Sequence, residues 1–321
     1  MNSSDIKFFK SAADGTFTYT EITTSTKNNI FSDILTEALT EGVNDDIKKF
    51  FIANINTANE TFTFVKNYLL SQTTGEDWVS MIKPPFLNAV AADLEEPLKY
   101  CGIGTLSAVI NAGESVIYVL PENSNAFTIE NNDKLFLING VLDYSNPLAK
   151  FEFVEVDSFV ENLGVYEITI KQSLINSYTE GTCSIVIEQE DLQTELQNFA
   201  TTSTTLSYDD INYPIFLQNW GCYSDTWTIL WVNATEFQCT GLKKGVVGSG
   251  TISENFAPLN AQTSTPFFTI FASGWQGTPT IGDTFTFYTK PAYVDIFLKR
   301  SVLNTVSTQA LNGFYVEVWG S

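Results

Sequence analysis

Pairs of adjacent carboxylates such as Asp45–Asp46, Glu95–Glu96 and Asp209–Asp210 are the residues of this 321-residue chain best suited by type to acid–base chemistry. Glycoside hydrolysis would need two such acids to converge at about 5–9.5 Å. Neighbouring residues of an extended chain point to opposite sides, so solvated surface is the expectation for all six. The sequence contains no histidine. That removes the commonest general base and the usual activator of a serine or cysteine nucleophile, and with it any Ser-His-Asp or Cys-His arrangement. Cys101, Cys183, Cys222 and Cys239 show no CxxC pairing and have no histidine partner. Buried, reduced thiols are expected of them, and a zinc site is not. The acidic turn Glu130–Asp133 could hold calcium, but it lacks a spaced ligand loop. The run Gly245-Val246-Val247-Gly248-Ser249-Gly250 has neither the dinucleotide fingerprint nor a following Lys-Ser/Thr. It reads as a glycine-bent hairpin. No catalytic residue, metal ligand or cofactor is expected, and the chain reads as a non-enzyme.

Tryptophan offers a different chemistry. Trp220, Trp227, Trp231 and Trp275 fall in one stretch, and Trp227 and Trp231, four apart, share one face of a strand. Displayed outward, such rings could stack on sugars; turned inward, they are core or interface, the usual fate of this residue. These four are the candidate interaction surface.

The elements that must carry these residues are β-strands. Aromatics make up 14% of the chain, with 25 Phe and 13 Tyr beside abundant Thr, Ile and Val, a mixture that fits a pleated, half-buried surface. Strands are expected at Ile6–Lys10, Thr16–Thr20, Lys49–Asn54 and Thr61–Tyr68, the last on the alternation of Thr61-Phe62-Thr63-Phe64-Val65-Lys66. A short helix could occupy Asn29–Thr40 and one helical turn Ala89–Leu98. From Gly104 to Glu188, strands of five or six residues recur at roughly ten-residue spacing, the pattern of a small barrel or sandwich. Glu190–Asn198 reads as a linker or short helix. Strands follow at Thr226–Val232, Asp283–Tyr288, Tyr293–Lys299 and Gly313–Trp319, with a polar loop at Asn304–Asn312.

The expected class is therefore mainly β: several antiparallel sandwich or small-barrel modules with one or two short helices. The expected division is an N-terminal sandwich at 1–98, an inserted barrel at 99–190, a Trp-rich β module at 191–289 and C-terminal strands at 290–321. The last could complete the first sandwich, leaving the middle modules as insertions.

Charge limits the partners. Sixteen basic residues against 37 acidic give a formal net charge of −21. Nucleic-acid phosphates and anionic lipid would repel such a chain, so no sequence-specific nucleic-acid binding and no membrane partner are expected. An acidic wall along which DNA slides without sticking remains compatible with that repulsion. Residues 1–10 lack the apolar core of a signal peptide, and no apolar run approaches bilayer length, so synthesis in the cytosol is expected.

One stretch carries a family texture. GVVGSGTISENFAPLNAQTSTPFFTI and SGWQGTPTIGDTFTFYTKPAYVDIFLKRSV resemble structural proteins of contractile-tailed, Mu-like phages. The residues that carry the likeness are Phe256, Ala257, Pro258, Asn260, Thr263, Pro266 and Phe268, then Gly274, Trp275, Gly277, Thr278, Gly282, Asp283, Phe287, Thr289, Pro291, Ala292, Lys299 and Arg300. The N-terminal NNIFSDI and KKFFIANINTANETFTFVKNYL are similar to the opening sandwich of such proteins. The likeness implies a virion subunit of the neck/collar, tail or baseplate region, homo-oligomeric, with other copies of itself and neighbouring phage structural proteins as partners. A receptor- or glycan-binding tail appendage is the alternative.

Overall fold

In the computed structural model, residues 3–23, 30–31, 43–71, 77–140, 150–303 and 314–321 are described. The β-forming composition is expressed almost throughout, in several antiparallel sheets and without a helix of seven or more residues among those described. None is long and apolar enough to cross a membrane. Short 3-10 turns stand at Ser3–Asp5, Ala91–Asp93, Ser124–Ala126 and Ala272–Gly274. The expected helix at Asn29–Thr40 lies outside the described residues apart from 30–31, and the loop Asn304–Asn312 lies outside them entirely.

The first strands are β1 (Ile6–Ser11), β2 (Phe17–Glu21), β3 (Val43–Asn54), β4 (Lys66–Ser71) and β5 (Asp77–Ile82). Then come β6 (Ile103–Leu106), β7 (Val116–Pro121), β8 (Lys134–Asn139), β9 (Lys150–Asn162), β10 (Val165–Ile170) and β11 (Thr182–Glu188). The third stretch holds β12 (Glu195–Thr201), β13 (Leu206–Tyr208), β14 (Asp225–Trp231), β15 (Glu236–Gly241) and β16 (Gly245–Thr251). It continues with β17 (Leu259–Asn260), β18 (Thr265–Pro266), β19 (Trp275–Gly277) and β20 (Thr284–Lys290). The last two are β21 (Tyr293–Leu303) and β22 (Tyr315–Trp319).

The chain divides into two compact units. One comprises Met1–Lys7, Ile52–Thr63 and Asp191–Tyr293; the other comprises Phe8–Phe51, Phe64–Glu190 and Val294–Ser321. The second contains a closed barrel. Its strands run β6-β7-β10-β9-β8-β11 and return to β6, every pair antiparallel. Cross-strand partners share a face, and Leu135 opposite Val154 and Ile185, Leu137 opposite Cys183, and Ile117 opposite Ile168 fill the interior. On the outside, Tyr68 of β4 stacks on Phe136 at 4.2 Å, and Trp319 of β22 meets Phe151 and Phe153. A five-stranded sheet, β2-β1-β3-β21-β5, completes this unit's strands, so β21 and β22 both pair with strands from the first part of the chain.

The first unit is built on the sheet β12-β20-β14-β15-β16. Strand β14 alternates: Asp225, Trp227, Ile229 and Trp231 are buried, while Thr226 and Leu230 are exposed. Phe256, Phe267, Phe268 and Ile270, from the segment between β16 and β19, complete the core around them. Gly241 is where the sheet admits a second close neighbour. A Cβ there would stand 2.8 Å from the Trp227 ring and 2.5 Å from the Asp225 carboxylate. That carboxylate is itself buried and accepts N–H groups of Thr226, Lys243 and Lys244, which fixes the β15–β16 hairpin.

Two expectations are corrected. The alternating Thr61–Lys66 is not a strand. Phe62 makes only an isolated bridge to Leu192, Phe64 turns at φ +54 with its ring 72% exposed, and the strand begins at Lys66. Glu190–Asn198 is neither helix nor plain linker, because its second half enters β12, an edge strand paired with β20. Charged residues on an edge protect it from other chains, and that is what made it look unlike a strand.

Candidate assembly interface

Strand β7 reads VIYVLP and is apolar at every position. A strand apolar on both faces is normally covered on both. Here Ile117 and Val119 are fully buried in the barrel, while Tyr118 and Leu120 are 37% and 45% exposed outside it. Glu167 of β10 stands opposite both Tyr118 of β7 and Val160 of β9, so these three side chains form a row across three strands. Val160 is 67% exposed. The barrel thus carries a bare apolar face with an acid at its centre.

Beyond this row, β9 and β10 run on to a two-residue turn, Leu163–Gly164, between the paired Asn162 and Val165. Both turn residues have positive φ, +53 and +83, as in the primed turns that match strand twist. Glycine meets that demand freely; a leucine in the left-handed region costs about 1–2 kcal/mol. Leu163 is 99% exposed and gains nothing by packing within the chain. The hairpin is held to the barrel on its other face, where Tyr166 meets Phe127 at 5.7 Å and Phe159 at 6.0 Å. Asp157 and Glu161 lie exposed along it, and no lysine or arginine occurs from 157 to 170. The result is an acidic arm with an apolar tip.

The residues singled out in the sequence lie elsewhere. Trp227 and Trp231 share a face as their spacing requires, but that face is the core, where both are fully buried. An outward tryptophan shelf is therefore not formed by them, because inward packing of the four-apart pair leaves the threonines outside. Trp275 is half-buried, packed edge-on against Tyr208, Trp231 and Phe285, and Trp220 is half-buried in the segment before β14. Four carboxylates of the adjacent pairs are engaged by groups of the chain itself. Asp45 binds Lys299 and Ser301, Asp46 binds Lys48, Glu96 caps the Leu98 N–H, and Asp209 holds Asn212. The Glu130–Asp133 turn closes on a cation of the chain itself, the ammonium of Lys99. Among the described residues, no three His, Cys, Asp or Glu side chains are grouped to hold a metal. The glycine run forms β16 of a hairpin.

All four thiols are buried and free. Burial pushes Cys101, Cys222 and Cys239 up to about 12, and raises Cys183 as well. The thiolate is the reactive form, so the native chain should be silent to a thiol reagent at neutral pH and should show all four groups after denaturation. Reaction of the native protein on mixing would contradict this.

On the barrel surface, Lys134 and then Lys171 hold the Glu155 carboxyl well below its ordinary 4.5, at about 2. A carboxylate lowered in the folded state contributes stability above its ordinary pKa and loses it as the pH falls toward the lowered one. The melting-temperature gap between wild type and Glu155→Gln should therefore be widest at neutral pH, shrink below about 4.5 and vanish near 2. A gap independent of pH would refute the assignment.

Tyr118, Leu120, Val160 and Leu163 escaped the sequence reading. For Tyr118 and Leu120 the visible signal was the unbroken apolar run of β7. Comparison with protein-family models, with curated proteins and with solved structures finds no match to this chain.

Proposed function

We propose that the chain is a non-enzymatic structural subunit of a tailed-phage virion, in the neck/collar, tail or baseplate region, which works by assembling with copies of itself and with neighbouring particle proteins. The observation that carries the assembly reading is the bare barrel face of Tyr118, Leu120 and Val160, continued by the exposed Leu163 tip. Exposed apolar side chains grouped on one face in this way mark interaction sites. The virion setting rests on the sequence resemblance from Gly245 to Arg300. The net charge of −21 supports partners that are proteins and not nucleic acid or anionic lipid. The glycan-binding alternative loses its main support, since Trp227 and Trp231 are core.

The test is to purify particles of the phage that encodes the chain, identify their proteins by mass spectrometry and reconstruct them by cryo-EM. The chain should be present in several symmetry-related copies. Particles that lack it, from a lysate that contains it, would contradict the proposal.

A further inference from the structure

The acidic arm needs a receptor of particular chemistry. Seating Leu163 and Val160 requires an apolar hollow, and burying Glu167 beside them requires a cation, because a desolvated carboxylate without a partner is strongly unfavourable. On a chain with 37 acidic residues against 16 basic ones, most of the surface would repel the arm. One hollow combines the two requirements. It is a cavity of about 90 Å³, lined by Lys10, Ser11, Ile22, Ile30, Lys48 and Phe50, together with Lys49. Phe50, one of the lining residues, is itself buried. The ammonium of Lys49 is committed to Asp295 and to the carbonyls of Gly15 and Ala89, so Lys10 and Lys48 are the cations left to this cavity, Lys48 with Asp46 beside it.

We propose that the Leu163 tip of one copy docks into the Lys10/Lys48 cavity of the next. This deepens the assembly reading above and rests on it. The arm belongs to the barrel and the cavity to strands β1 and β3, so the two surfaces differ. The contact is head-to-tail, and repetition closes a ring or extends a filament. It accounts for two features the fold leaves unexplained: a leucine at a left-handed turn position, and an acidic hairpin without a basic partner in its own sequence.

The test uses the full chain. Light-scattering mass is measured against concentration for wild type and for Leu163→Asn, since asparagine tolerates the left-handed turn and should leave the melting temperature unchanged or higher. The wild type should self-associate, and L163N should dissociate at concentrations at least tenfold higher. Separately, L163C and S11C proteins are mixed under mild oxidation; a disulfide-linked heterodimer is expected, against a background of four buried native cysteines. Equal assembly by L163N, or no cross-link in the mixture, overturns this contact while leaving the assembly reading intact. A wild type that stays monomeric throughout overturns both.

Discussion

Replacing Trp227 by alanine should destabilise its unit by about 3–5 kcal/mol, among the largest losses available to a single substitution here. The ring is fully buried between Phe267 and Phe268, at 5.2 and 5.0 Å, and its indole N–H donates to Thr289 Oγ1 at 2.7 Å. The Thr289 hydroxyl in turn donates to the Tyr223 carbonyl, so the indole is tied into a buried chain of hydrogen bonds. Alanine would leave a cavity among rings too tightly engaged to collapse into it. A phenylalanine series separates packing from bonding. Trp231 is as deeply buried, but its indole N–H has no hydrogen-bond partner among the described residues. Trp231→Phe should therefore be milder than Trp227→Phe by about 1–2 kcal/mol, measured by denaturant unfolding. Equal losses would show that the Thr289 bond contributes nothing.

The second large effect lies in the other unit. Lys49 and Asp295 form an ion pair at 2.7 Å with side chains only 4% and 3% exposed. The Lys49 ammonium also donates to the carbonyls of Gly15 and Ala89 and lies over the Phe51 ring, and Asp295 accepts the Asn88 N–H. Burial nevertheless pushes the Asp295 carboxyl above the usual carboxylate range, with Lys49 opposing the shift. Such a pair contributes little net stability, yet it is severe to break, because the surviving charge is stranded. Asp295→Ala should cost about 3–5 kcal/mol. The Lys49→Met, Asp295→Leu double variant should lose less than either single variant, although Gly15, Ala89 and Asn88 would then lack their partners. Additive losses would contradict the stranded-charge account.

How much of this was readable in the sequence depended on how local each cause was. The strands around Phe17, Phe136, Ile168 and Trp227 follow from residue type and short-range pattern, which act over a few residues. Barrel closure does not, because it is fixed by the pairing of β8 with β11, about fifty residues apart in sequence. The alternation at Thr61–Lys66 misled because a turn at Phe64 breaks the period without leaving a glycine to mark it. β12 was hidden by its charges, which serve an edge. For the tryptophans, the spacing correctly placed Trp227 and Trp231 together, but which face is covered depends on Phe267 and Phe268, forty residues away in sequence. The candidate interface was illegible for the same reason. Nothing in VIYVLP says that one of its faces will find no cover within the chain.

The claim that the chain works by assembly is tested most directly by its mass in solution. Native mass spectrometry of the purified full chain over rising concentration should reveal species at multiples of the 35.7 kDa protomer mass. A chain that remains monomeric at every concentration, with Tyr118, Leu120 and Leu163 exposed to solvent, would contradict the account.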